Sequence, residues 1–141
     1  MKKTNNLIML IPAFWSCVFD FLITIFNQPS EYWNGNLETY IEGNPIVAYL
    51  MRNNTSGIFI FVIVWLSLIG IIGYFLPPKL LRIFSLFVVI AHTWGASAWV
   101  EYCFGFWFVL ILVLLNAIIF IFVQDFYFNR ITKSLKTNNK T

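Results

Sequence analysis

Residues 58–100 read IFIFVIVWLSLIGIIGYFLPPKLLRIFSLFVVIAHTWGASAWV, two long apolar runs joined at Pro77-Pro78. The first run, Ile58 to Leu76, contains no charged residue. A helix needs about 20 such residues to cross a hydrocarbon layer of ~30 Å. Proline cannot continue the backbone ladder, and it pushes its predecessor out of the helical region. It is well placed in the first turn of a following helix. The second run, Leu80 to Val100, therefore starts almost at once, and the two runs predict a tight antiparallel hairpin.

The pattern repeats on both sides. Leu7 to Phe26 precedes the hairpin, and Phe104 to Val123 follows it after a short connection around Glu101 to Cys103. The expectation is an all-α integral membrane protein. It is a four-helix antiparallel bundle with spans at 7–26, 58–76, 80–100 and 104–123, within a domain covering 1–128. Composition agrees. Of 141 residues, 60% are hydrophobic and 11% charged, and mean hydropathy is +0.78. Soluble domains carry about 25% charged residues. Lipid must cover what charges cannot.

A basic start before an apolar run also describes a signal peptide. No small-x-small cleavage site follows the first run, and Phe14-Trp15-Ser16 places bulky rings before Cys17, where lipoprotein cleavage requires small side chains. The run is expected to be retained as the first span.

Orientation follows from the basic residues. With the N-terminus inside, cytoplasmic segments hold Lys2, Lys3, Lys79, Arg82, Arg130, Lys133, Lys136 and Lys140. The opposite side holds Arg52 together with Glu31, Glu38, Glu42 and Glu101. This is the positive-inside bias, which predicts both termini in the cytoplasm. The net charge of +3 is thus a topology signal, and nucleic acid is not an expected partner. The expected partners are the bilayer, a second copy of the chain or a membrane protein. The Asn- and Lys-rich ends suggest a bacterial cell membrane, and residues 129–141 read as a disordered basic tail. Cys17 and Cys103 fall at different depths and read as free thiols.

The segment from Asn27 to Ser56 is the one sizeable connection. Asn44 is a good N-cap, and Pro45 suits the first helical position. A short interfacial helix is expected there, in the first extracytoplasmic loop.

Ionisable groups within spans cost roughly 2.5–3.5 kcal/mol on the insertion scale and suggest function by default. Asp20 falls about 20 Å along the first span and His92 about 18 Å along the third, which runs the same way. At one depth they can pair. Ser16, Asp20, Thr24 and Asn27 form a stripe on the first span. Thr93, Ser97 and Glu101 share a face of the third, beside the face that carries His92. Asn116 lies deeper and is expected to bond across helices. The candidate catalytic or metal-binding residues are Asp20, His92 and Glu42, supported by Thr24, Asn44, Ser97 and Glu101. One His with two carboxylates meets the ligand count of a catalytic zinc, so a divalent metal ion is a possible cofactor. The same set can relay protons. An Asp–His pair that only orients helices is equally consistent with these residues. No Gly-rich phosphate loop, nucleophile elbow or H-E-x-x-H occurs.

The pattern Asp20-x-x-x-Thr24, then Glu42-x-Asn44-Pro45 after a loop, resembles a group of small bacterial and archaeal four-helix membrane proteins. Those carry D-x-x-x-T in the first span and E-x-N-P before the second. The resemblance covers about a quarter of the chain, and the loop here is longer. It implies that Asp20, Thr24, Glu42, Asn44 and Pro45 belong together near the outer surface, and it implies no activity. Three functional classes follow from the residues. They are an outward-opening polar site for metal- or proton-coupled binding or catalysis, an accessory subunit, and a pore-forming oligomer.

Overall fold

A computed structural model describes the backbone of residues 6–138 and the side chains of residues 6–129. Among the described residues there is no strand. The helices are α1 (Asn6–Met9), α2 (Ile11–Phe26), α3 (Ser30–Trp33), α4 (Pro45–Asn53), α5 (Gly57–Phe75), α6 (Pro78–Phe104) and α7 (Phe106–Asn138), with a 3₁₀ turn at Leu37–Thr39. Three of them, α5, α6 and residues Phe106–Asn129 of α7, are long and apolar enough to cross a membrane. The protein is a helical membrane protein. Its outward-facing surface is correspondingly apolar, with Phe122 and Trp107 more than 70% exposed.

The first apolar run is not one helix. Pro12 has no N–H to offer the Ile8 carbonyl, and its ring crowds that carbonyl. The chain turns at Leu10, whose N–H reaches back to Leu7 O at 3.2 Å, before α2 begins. The break frees the Met9 carbonyl, which accepts a hydrogen bond from buried Ser85 Oγ at 2.9 Å. Asn6 Nδ2 donates to the Leu76 carbonyl at 3.1 Å. That carbonyl lies at the end of α5, where helices leave acceptors unpaired.

The predicted hairpin forms as expected. Leu76 is extended, and Pro78 opens α6. The next corner is tighter than expected. Glu101 to Cys103 lie in the last turn of α6, and Gly105 alone makes the connection at φ +88°. Nothing before Gly105 breaks a helix, and glycine takes the positive φ that other residues disfavour. Beyond the last predicted span the helix extends as far as Asn138. No Gly or Pro interrupts the chain after Gly105, and α7 runs on through the polar segment.

The main core gathers Met9, Leu10, Ala13, Cys17, Phe21, Ile69, Leu81, Val88 and Tyr127. Cys17 is buried, Cys103 exposed, and both are free. The 27–56 connection has its own core of Tyr32, Val47, Met51 and Ile58. Asn44 caps α4 as expected, its Oδ1 accepting from Ile46 N at 3.0 Å. The connection is fastened to α2 by Gln28, a buried side chain. Gln28 Nε2 donates to Ile41 O at 2.7 Å, and Gln28 Oε1 accepts from Ile41 N at 2.8 Å. This pair of hydrogen bonds holds Ile41 against the end of α2, where Gln28 Nε2 also donates to Thr24 O at 3.2 Å.

Candidate functional site

Asp20 on α2 and His92 on α6 meet. His92 Nδ1 lies 2.7 Å from Asp20 Oδ2. Trp65, in the middle of α5, donates its indole N–H to His92 Nε2 at 2.9 Å. Three helices thus contribute one residue each to a linear chain, Trp65–His92–Asp20. The carboxylate fits beside α6 because residue 95 is glycine. A Cβ there would lie 2.9 Å from Asp20 Oδ2 and 3.0 Å from Oδ1.

The chain fixes its own protonation. An indole N–H only donates. His92 Nε2 must therefore be an unprotonated acceptor, and Nδ1 carries the ring proton that it donates to Asp20. A protonated carboxyl at Oδ2 would leave the ring with no proton at all. The arrangement is a neutral imidazole beside an ionised carboxylate. Its net charge is −1, held in a place where charge is costly. Asp20 Oδ1 takes no hydrogen bond from the described residues.

Asp20 and His92 form the floor of a cavity of about 580 Å³. Thr24, Glu42 and Asn44 line it as well, so four of the five residues singled out by the short motifs line one cavity. Glu42 stands at the rim, its Oε1 accepting from Asn44 N at 2.6 Å. Burial pushes the Glu42 carboxyl up from its ordinary range. The Asn44 N–H opposes that shift, and the Asp20 charge adds to it.

Ser97 and Glu101 do not join the site. They line a separate groove of about 880 Å³ between α6 and α7. Ser97 Oγ bonds its own helix at Thr93 O, 2.6 Å away. That groove holds a second polar link. Asn116 Nδ2 donates to Thr93 Oγ1 at 2.8 Å, and Trp15 Nε1 donates to Asn116 Oδ1 at 3.1 Å. Asn116 bonds across helices, as its depth implied.

The zinc reading does not fit. Both nitrogens of His92 are engaged, so the ring has no lone pair free for a metal. Among the described residues no three His, Cys, Asp or Glu side chains are grouped closely enough to hold an ion. In this arrangement both His92 nitrogens are used within the line of three residues. The place of His92 is to orient Asp20. Trp65 was not among the expected residues. The signal for it is weak but physical, since a lone Trp in an apolar span has an N–H that needs an acceptor.

No protein-family model, curated protein or solved structure matches this chain.

Proposed function

We propose that the chain is a four-span membrane protein carrying an anionic binding site that opens on the outer face. The observation that carries the reading is the Asp20 carboxylate, ionised and held by His92, with Oδ1 free of protein donors beside the cavity. Oδ1 is open to the cavity, where it can accept from a ligand, while Oδ2 is held by the protein.

Two arguments support the fourth span. The 16 residues of α2 rise about 24 Å, and α1 stacked before it brings the pair close to the ~30 Å of the hydrocarbon layer. The basic residues then place the termini inside and the 27–56 connection outside. In this placement α4 lies at the outer interface, with Val47 and Met51 buried against the bundle and Ile46 and Tyr49 exposed. Asp20 and Thr24 of the α2 stripe line the protein's own cavity, which favours an internal site over a pore shared between copies. Metal-coupled chemistry is not proposed, because His92 is fully engaged.

Asp20→Asn separates a binding site from a packing device. Asn keeps an acceptor for the His92 Nδ1 proton and removes the charge. Exchanging a charge-assisted hydrogen bond for a neutral one loses about 1 kcal/mol. Removing a partly unpaired charge from a low-dielectric site returns several. Thermal unfolding in detergent is expected to show the variant as stable as wild type or more so. Clear destabilisation would assign Asp20 to helix packing and favour the accessory-subunit reading.

A further inference from the structure

Resting on that binding site, we infer that the cavity takes an organic cation, an ammonium group carried by a small molecule or by a lipid headgroup. The sign comes from the lining. Asp20 and Glu42 are the acidic groups, His92 is neutral, and among the described residues no Lys or Arg lines the space. The nearest loop cation, Arg52, is spent elsewhere. It donates to Tyr40 Oη at 3.1 Å and lies over that ring.

The chemical class comes from the rest of the wall. Phe21, Phe61, Trp65, Trp94 and Trp99 all line the cavity. A hydrated inorganic ion gains little from such rings. An alkylated ammonium spreads its charge over methyl groups, and aromatic faces attract it, most strongly those of Trp. A volume of about 580 Å³ is far larger than a bare ion and falls within the range of small-molecule sites. The cavity reaches the connection at Ile41 to Asn44, and Trp94 on its rim is 81% exposed on the apolar flank. Both a soluble amine and a lipid headgroup therefore have a way in.

The test uses the full chain in nanodiscs of phosphatidylglycerol, which carries no ammonium. Choline is titrated against its uncharged isostere, 3,3-dimethyl-1-butanol, with tryptophan fluorescence as the readout. Choline is expected to give a saturable change that weakens by about tenfold or more in Asp20→Asn and, separately, in Trp99→Leu. The isostere is expected to give none. Repeating the titration in phosphatidylcholine identifies the source. A marked fall in apparent choline affinity there means that bilayer headgroups occupy the site, and an unchanged value means a soluble ligand. Absence of any Asp20-dependent choline response overturns the inference. So does equal binding of the isostere, or an Asp20-dependent response to zinc or calcium alone. The last two leave the binding site standing without its preference for an organic cation. The stability of Asp20→Asn judges the site independently of all of these.

Discussion

Gly95→Ala tests the geometry of the site with a single methyl group. The added Cβ would lie 2.9 Å and 3.0 Å from the two Asp20 oxygens and 3.2 Å from Cγ, so the carboxylate must move. The 2.7 Å bond to His92 is lost or distorted when it does. Overpacking of this kind costs about 1–3 kcal/mol. Against it stands the helix preference for Ala over Gly, worth up to about 1 kcal/mol in a helix interior. The balance in the wild-type background is a destabilisation of up to about 2 kcal/mol. In an Asp20→Ala background the obstacle is gone and only the preference remains. There the same substitution should stabilise by up to about 1 kcal/mol. The prediction is a change of sign around a double-mutant cycle, which isolates the coupling between two touching residues. Thermal or denaturant unfolding of the four proteins in one detergent measures it. If Gly95→Ala has the same effect in both backgrounds, Asp20 is not packed on residue 95 and the site is built differently.

Two further outcomes follow from the same chain. Trp65→Phe keeps a ring against Phe61 but removes the donor to His92, leaving an acceptor in a partly buried site at a cost of about 1–3 kcal/mol. Nitrogen NMR of the imidazole should show the neutral Nδ1–H tautomer near pH 7 in wild type and lose that pinning in the variant, whereas an imidazolium in wild type would refute the assignment. Glu42, whose carboxyl is raised by burial and by Asp20, favours its protonated form when folded. Its contribution to stability is fully present below the ordinary value of 4.5 and is lost as pH rises through the raised folded value. Melting temperature followed from about pH 4 to 8 should therefore fall across that window in wild type and flatten in Glu42→Gln. An unchanged slope in the variant would place the effect on another group.

Some of this was legible before any coordinates. The α5–α6 hairpin is written in Pro77-Pro78, and the α4 start in Asn44-Pro45. The Asp20–His92 contact follows from two expensive groups at one depth. The kink at Leu10 was also written, in Pro12, but the high hydropathy of the whole run concealed it. Ser97 and Glu101 line the α6–α7 groove instead of the Asp20 cavity, which was not legible because a helix repeat groups residues by face and does not say which neighbour a face meets. That face of α6 turns toward α7. Trp65 carries no charge to betray it, and its role depends on how α5 rotates. Glu42 reaches the cavity only because Gln28 fastens Ile41, a link spanning thirteen residues that no local pattern encodes.

The Trp65–His92–Asp20 line has a direction, with a donor-only indole at one end and a carboxylate at the other. An imidazole between them passes a constraint from α5 through α6 to α2. The orientation of the Asp20 carboxylate is therefore a shared property of three helices, and a change of side chain on any one of them is felt at the cavity wall.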